Sequence, residues 1–352
     1  MVHRHAKAGG AIRGFSSLPG ANPGMMKLKE TDWAGIWFSF LPEYGEHPFI
    51  PYGFQEEGQD GVEWRELSHE TFDGVGGFAH LLREKKIAFG PLPLLRESRP
   101  PAYFHTLRKL YGIELFPASI PYEWDVTYQE QPYQIHHPQH HSFDKETTQQ
   151  ITETAAATRI STNSLLLYCL DRAALCLLKN RPVQSKWMIP TNMRGRTHVR
   201  QDTANQASYI CSEIPAQSSA ADIHRLIKGQ FARDVHWHNW RLLNIGRILG
   251  RAAIKYLYQK QYLTGPAWTG VFSNLGNWSL AQDHSWYFTP PVTQGCPVGA
   301  GAITINGRLH LSLQTHHGWQ DNSTHARNIL DTWTSMITRE IQSDQSQPRP
   351  IP

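Results

Sequence analysis

The chain has 352 residues, of which 40% are hydrophobic and 18% are charged, and its formal net charge is +4. This composition is typical of a globular protein with room for two lobes, and it excludes an intrinsically disordered chain. The lysines and arginines are scattered and only slightly outnumber the acidic residues, which argues against nucleic-acid binding. The small positive excess suits an anionic small ligand or an acidic carrier protein.

No apolar run is long enough to span a membrane, and the basic residues 1–26 lack the apolar core of a secretory signal. The four cysteines show no spacing typical of a metal site, so we expect free thiols in a reducing compartment. The sequence therefore predicts a cytoplasmic protein without a membrane span, in which residues 1–26 are an irregular lead-in.

Residues 27–141 are predicted to form the first lobe. An aromatic-rich run from Trp33 to Leu41 predicts one strand, and Val62 to His69 predicts a second. A glycine-rich turn and an apolar helical periodicity through Phe78 then predict a helix. Proline-rich connections follow, and the end of the lobe is expected near residue 141.

Residues 142–345 are predicted to form the second lobe, with a tail at 346–352. The predicted elements are a helix capped by Asp144, a helix begun by Ser161 or Thr162, helices near 223–231, 242–257 and 325–341, and strands at 187–190, 270–275, 298–305 and 308–315. The last two strands flank Asn306-Gly307, a pair typical of a tight hairpin turn. Because helices and strands mingle in both halves, the sequence predicts an α/β fold of two sandwich lobes.

One short motif occurs twice. The first copy is a predicted strand that ends at His69 and continues to Asp73 and Gly74 before a helix; the second places His317 and Asp321 between a strand and the last helix. Aligning the two histidines without a gap also aligns the two aspartates, and it pairs Leu81-Leu82 with Ile329-Leu330. Such an internal repeat indicates two related lobes.

A strand followed by His-x-x-x-Asp-Gly resembles the signature of the chloramphenicol acetyltransferase-like superfamily, which includes peptide condensation domains, wax-ester synthases and plant alcohol acyltransferases. Segments 143–178, 187–194, 205–208 and 272–278 resemble, in order, the family's helix pair, its strand and arginine turn, its polar strand and the strand that lines its active site. The resemblance covers 140–345 and 60–85. It implies two chloramphenicol-acetyltransferase-like sandwich lobes forming a pseudo-dimer, and since only 68 residues precede His69, the first lobe is shortened.

The resemblance also implies a function, namely transfer of an acyl group from a phosphopantetheine thioester to a hydroxyl or amine acceptor. The donor would be acyl-CoA or an acyl or peptidyl carrier protein, and no bound metal or other cofactor is expected. Imidazole titrates near neutral pH, which suits His69 as the general base. The remaining assignments are Asp73 as a brace paired with Arg194, Gly74 as the residue that permits the tight turn, Ser273 as donor to the oxyanion, and Asn274 as the reserve donor.

Several alternatives remain open at this level. His317 with Asp321 forms a possible second site, although Asn322 replaces the glycine of the motif. A condensation-type amide-forming domain and a catalytically inactive carrier-binding module would share the fold, and Ser68, in place of the family's first histidine, favours the inactive module. The histidine run at 136–141 is disfavoured as a metal site because Pro138 interrupts it and no suitably spaced carboxylate accompanies it.

Overall fold

The computed structural model describes residues 34–95, 100–102, 123–129, 137–180, 183–197, 199–244, 246–263 and 268–345. Residues 32–352 form one compact unit. The predicted lead-in at 1–26, the tail at 346–352 and Trp33 lie outside the described residues.

The described chain alternates helices with strands. The helices are α1 (Gly35–Phe38), a 3₁₀ helix (Leu41–Tyr44), α2 (Gly74–Glu84), α3 (Lys145–Ala157), α4 (Thr162–Leu175), α5 (Ala220–Ala232), α6 (Val235–Asn244), α7 (Gly246–Leu263) and α8 (Asn322–Gln345). The strands are β1 (Phe49–Gln55), β2 (Glu63–Ser68), β3 (Gln139–Ser142), β4 (Gln184–Asn192), β5 (Ala207–Pro215), β6 (Gly270–Trp278), β7 (Ser285–Phe288), β8 (Val298–Ile305) and β9 (Arg308–Thr315). None of the described helices combines the length and the apolar character needed to cross a bilayer.

The smaller sheet has the strand order β2-β1-β7 and is antiparallel throughout. Its third strand comes from much later in the chain, and Tyr52 of β1 lies opposite Phe288 of β7. Helix α2 packs against this sheet through Phe78, which is 1% exposed and contacts the rings of Trp278 and Trp286 edge-on. The smaller sheet is thus completed by a strand from the second half of the sequence.

The larger sheet has the order β3-β9-β8-β6-β4-β5 and is mixed. Strands β4, β6 and β8 run parallel to one another, whereas β8 and β9 form an antiparallel hairpin. One face of the sheet packs against helices α3, α4 and α8 around a fully buried apolar core. The alternation seen in the sequence of β9 agrees with this packing, since Leu309, Leu311 and Leu313 lie in that core.

The other face of the larger sheet carries strand β7. The Oγ of Ser312 on β9 donates a hydrogen bond to the carbonyl of Phe288, and the Nε2 of Gln314 donates to the carbonyl of Pro290 at 2.8 Å. Gly301 on β8 allows this close approach, because a Cβ at that position would lie 1.7 Å from the Phe288 carbonyl oxygen. The two sheets therefore meet through backbone as well as side-chain contacts.

The predicted α/β fold is confirmed, and its described strands form two sheets. The caps predicted at Asp144 and Ser161 each accept a hydrogen bond from a first-turn backbone N–H, and Asn306-Gly307 forms the hairpin turn with φ angles of 48° and 85°. The strand predicted from Trp33 to Leu41 is wrong, because its described part forms α1 and the start of the 3₁₀ helix. Aromatic residues favour strands only weakly, and here tertiary packing overrides that preference.

Candidate active site

His69 follows the last residue of β2 and begins the loop that leads to α2. Its backbone N–H donates to the carbonyl of Pro48 at 2.6 Å, and its own carbonyl accepts from the Nδ2 of Asn205 at 2.9 Å. The imidazole stacks on the ring of Phe38, with centroids 3.8 Å apart and an interplanar angle of 23°. The backbone and one ring face of this histidine are therefore held from several directions.

The ring nitrogens of His69 have different surroundings. Nδ1 lies 2.8 Å from the carbonyl oxygen of Phe72, which can only accept, so the contact selects the tautomer with the proton on Nδ1. The Nδ2 of Asn205 is 3.2 Å from the same nitrogen, but two donors cannot pair, so Nδ2 donates to the His69 carbonyl at 2.9 Å instead. Among the described residues, none forms a hydrogen bond with Nε2. That nitrogen therefore offers a lone pair to an incoming group.

Burial lowers the pKa of His69 below its ordinary value of 6.5, against the opposing effects of the Phe72 carbonyl and the charge of Asp73. Desolvation disfavours the charged imidazolium, so the neutral ring is the resting form near neutral pH. The side chain thus meets the two requirements of a general base, which are a free lone pair and a largely unprotonated state.

Asp73 and Arg194 form a buried pair, each about 2% exposed. The Nη1 and Nη2 of Arg194 donate to the two carboxylate oxygens of Asp73, both at 2.8 Å. The carboxylate also accepts from the backbone N–H of Gly76 at 2.7 Å, which caps α2, and from that of Gln206 at 2.6 Å. The Asp73 carboxylate thus joins the His69 loop, α2 and the start of β5.

The guanidinium of Arg194 has no unused donor. Besides its two bonds to Asp73, it donates to the carbonyls of Asp202 and Ala204 at 2.8 Å each and to the Oδ1 of Asn192 at 3.1 Å. A buried charge pair is stabilising only when its remaining polar groups are also satisfied. This pair meets that condition.

Glycines in the loop allow the close packing around the pair. A Cβ on Gly74 would lie 2.7 Å from the side chain of Leu275, and one on Gly76 would lie 2.1 Å from the carbonyl oxygen of Thr203 and 2.7 Å from the Nη2 of Arg194. Side chains at these positions would push α2 away from its neighbours. Close approach, more than an unusual φ, explains the glycines here.

Ser273 and Asn274 lie next to each other on β6 and therefore face opposite sides of the larger sheet. Phe272 packs on Trp333 of α8, and Asn274 faces the same helical side, where its Nδ2 donates to the Oδ1 of Asn163 at 2.6 Å. Ser273 is 8% exposed and faces the side that carries the small sheet. Ser273 and Asn274 therefore lie on opposite faces of the larger sheet, and the roles assigned to them stay predictions.

The second copy of the motif keeps the predicted order of elements. His317 follows β9, and α8 begins directly after Asp321, as α2 begins directly after Asp73. The aspartates differ, however: Asp321 is exposed and has a φ of 54°, and within the described part of the chain its side chain makes no hydrogen bond or ion pair. The repeat therefore extends to the order of the elements, but the backbone conformation at the aspartate differs, since Asp73 is extended with a φ of -94°, and the brace is not repeated.

His316, to which no sequence motif assigns a role, has a defined partner. Its Nε2 lies 3.1 Å from the Oε2 of Glu46, and both side chains are buried. Phe38 on the His69 ring was likewise unassigned. Local sequence could not have indicated either contact, since Glu46 and His316 are 270 positions apart and Phe38 belongs to a segment predicted as a strand.

The structure is similar to several solved proteins. It aligns with the EpoB NRPS cyclization-docking bidomain from Sorangium cellulosum at a TM-score of 0.49 and 12% identity, over 82% of this chain and 62% of that one, so it spans less than two thirds of the bidomain. Polyketide synthase associated protein 5 from Mycobacterium tuberculosis aligns at 0.48 and 12%, over 89% and 98%. The wax ester synthase/diacylglycerol acyltransferase from Marinobacter aquaeolei VT8 aligns at 0.49 and 12%, over 88% and 76%. No protein-family model and no curated protein sequence matches the chain.

Proposed function

We propose that the chain is an acyltransferase that moves an acyl group from a phosphopantetheine thioester to a hydroxyl or amine acceptor. The observation that carries the proposal is the state of His69: Nδ1 is engaged by the Phe72 carbonyl at 2.8 Å, and Nε2 is left for a substrate proton. A lowered pKa keeps this base unprotonated. The buried pair of Asp73 and Arg194 supports the role by holding the loop in place.

In the proposed mechanism, Nε2 of His69 removes the proton of the acceptor O–H or N–H as the acceptor attacks the thioester carbonyl. The new bond joins the acceptor atom to the acyl carbon, and the Oγ of Ser273 donates a hydrogen bond to the oxyanion. Collapse of this intermediate breaks the C–S bond. The imidazolium then returns its proton to the departing thiolate, so His69 is regenerated and no redox step occurs.

The donor in this proposal is free acyl-CoA or an acyl or peptidyl carrier protein. Both are anionic, and the net charge of +4 suits either. The mechanism uses no bound cofactor, and the cytoplasm supplies both donors. Amide formation between carrier-bound substrates is the related alternative, and it requires a carrier partner.

The test is to incubate the purified protein with a panel of acyl-CoAs and a cell extract, then to follow thiol release and acylated products by mass spectrometry. The matched control is His69→Asn, whose amide can still donate to the Phe72 carbonyl but has no counterpart of Nε2. We expect acceptor-dependent release with wild type and background release with the variant. Equal release by both proteins would remove His69 from the mechanism.

A catalytically inactive carrier-binding module is the second candidate, and the stacking of Phe38 on His69 favours it because one ring face is already covered. This candidate predicts that an acylated carrier protein binds without turnover, in the presence of every acceptor supplied. Binding measured by calorimetry together with absent thiol release would support it, whereas any His69-dependent turnover would exclude it.

A further inference from the structure

Three side chains from two distant parts of the sequence converge in the structure. Glu46 lies between the 3₁₀ helix and β1, while His316 and His317 follow β9. One potential ligand atom from each lies within 4.8 Å of those of the other two, and among the described residues no other group of His, Cys, Asp or Glu side chains meets this criterion. The described histidines of the 136–141 run are not part of the group.

The carboxylate of Glu46 is oriented by its surroundings. The backbone N–H of Gln294 donates to Oε1 at 2.7 Å, and Oε2 faces the Nε2 of His316 at 3.1 Å. Glu46 is 2% exposed and His316 is 6% exposed, so bulk water is largely excluded from both. The hydrogen bond from Gln294 to Oε1 thus fixes the rotamer in which Oε2 faces His316.

The rings of the two histidines are also close to each other. The rings of His316 and His317 have centroids 4.3 Å apart at an angle of 45°, and the ring of His47 lies 6.3 Å from that of His317. When two ligand atoms each lie roughly 2 Å from one ion, they are about 3 Å apart. The Oε2 of Glu46 and the Nε2 of His316 have this separation. His47 is not part of the group of three potential ligands.

We propose that Glu46, His316 and His317 form a binding site for a divalent transition-metal ion, with Zn²⁺ as the ion that best fits the donor set. Two imidazoles and one carboxylate are a known three-ligand set for Zn²⁺, with water or a further side chain as the fourth ligand. The site is separate from the acyl-transfer mechanism above and does not depend on it.

Coordination changes two existing contacts of His316, those with Glu46 and with Gly318. The Nδ1 of His316 now accepts from the backbone N–H of Gly318 at 3.2 Å, which leaves the ring proton on Nε2. Binding of an ion at Nε2 moves that proton to Nδ1, so this long hydrogen bond is lost. Losing this hydrogen bond costs little free energy compared with the gain from three metal–ligand bonds, which replace one carboxylate–imidazole contact.

A bound ion would stabilise the segment from Glu46 to Pro48, which supports His69. Glu46 is two residues before Pro48, whose carbonyl accepts the backbone N–H of His69 at 2.6 Å. The ion would connect this segment to the loop after β9, which belongs to the larger sheet. We therefore expect metal to raise the melting temperature of the whole chain, whether or not an acyl acceptor is present.

The test uses tag-free full-length protein stripped with a chelator, titrated with Zn²⁺ by calorimetry and with Co²⁺ by visible absorption. We expect one tight site per chain and a Co²⁺ spectrum typical of nitrogen and oxygen ligands. His317→Ala is the first variant because it keeps the buried contact between Glu46 and His316. Loss of a residue that only contacts a metal ligand weakens metal binding by up to roughly 100-fold. Because His317 and Glu46 would be ligands themselves, His317→Ala and Glu46→Gln should each weaken Zn²⁺ binding by more than that.

His141→Ala is the matched control, because it removes an exposed histidine from the competing run and should leave the tight site intact. Circular dichroism of each metal-free variant verifies that it is folded. The absence of a tight site in wild type would overturn the proposal. It would equally be overturned if His141→Ala removed the tight site while folded His317→Ala retained it.

Discussion

At His69, the surrounding backbone decides which ring nitrogen is available. The carbonyl of Phe72 requires a proton on Nδ1, so Nε2 is the base, and burial keeps the ring neutral. His317 lacks an equivalent setting, since its loop is not braced by Asp321 and its ring lies against that of His316. The two histidines of the repeat are therefore expected to differ in function.

The first prediction compares these two histidines in a thiol-release assay. His69→Asn should lower kcat by about 10²–10⁴-fold, as loss of a general base typically does, while His317→Ala should retain most of the activity. In wild type the neutral base is the active form, so kcat/KM should fall as pH decreases through a value below 6.5. The opposite ranking of the two variants would assign the chemistry to the second lobe.

The second prediction concerns Ser273. Ser273→Ala should lower kcat by about 10²–10³-fold with little change in donor affinity, because an oxyanion donor acts mainly in the transition state. Asn274→Ala is the control, since that side chain faces α4 and bonds to Asn163. Full activity of Ser273→Ala would move the role to backbone N–H groups.

At the scale of elements, α2 and the start of β5 are joined through one carboxylate. The Asp73 carboxylate caps the helix. It also accepts hydrogen bonds from both terminal nitrogens of Arg194 and from the backbone N–H of Gln206. Because the guanidinium is buried, removing its partner leaves an uncompensated charge. The position of the His69 loop and the stability of the fold are consequently linked.

The third prediction follows from this link. Asp73→Asn should lower the free energy of unfolding by about 3–5 kcal/mol and lower activity, because it breaks a buried pair at one partner. Asp202→Asn removes an exposed pair with Arg83 and should cost no more than about 1 kcal/mol. If Asp73→Asn unfolds like wild type in denaturant but its pH–rate profile shifts, then Asp73 takes part in the chemistry.

The fourth prediction contrasts two helical glycines. Gly76→Ala should destabilise the protein by about 1–3 kcal/mol, because the new Cβ would lie 2.1 Å from the Thr203 carbonyl oxygen. Gly229→Ala in α5 should stabilise it by about 0.5–1 kcal/mol, because a Cβ there meets no described atom within 4 Å and alanine favours helix. Urea unfolding measures both, and equal effects would contradict the packing described for α2.

At the scale of the whole molecule, the two sheets are held together where β7 crosses β9. His310 lies in this contact: its Nδ1 is 2.8 Å from the Oγ of Ser142, and its ring meets that of Tyr287 edge-on. Burial, with a smaller effect from Arg308, lowers the pKa of His310 to about 4. Protonation of this ring therefore opposes the association of the sheets.

The fifth prediction is a pH dependence of stability. Between the unfolded pKa of 6.5 and the folded value of about 4, the unfolded chain binds a proton at His310 and the folded chain does not. Stability is therefore lost as pH falls, by about 2 kcal/mol at pH 5 from this residue. Unfolding of His310→Gln should show a correspondingly weaker pH dependence, whereas His80→Gln, at a side chain that is 45% exposed, should follow wild type. Identical pH profiles for wild type and His310→Gln would contradict the assignment.

The sequence by itself determined those features that depend on neighbouring residues. The strand before His69, the helix after Asp73, the caps at Asp144 and Ser161, and the Asn306-Gly307 hairpin each follow from patterns a few residues long. The α/β class follows from the mingling of such patterns. Local hydrogen bonds and side-chain periodicity act over the same short range, which is why these features could be predicted.

Only the tertiary structure decided which distant side chains meet. The tautomer of His69 depends on how its loop brings the Phe72 carbonyl to Nδ1. The hydrogen-bond partner of Asn274 depends on which face of the larger sheet that side chain occupies. The contact of Glu46 with His316 joins residues 270 positions apart through the stacking of two sheets. Strand order and sheet packing result from the burial of many apolar side chains at once, so no local pattern specifies these contacts.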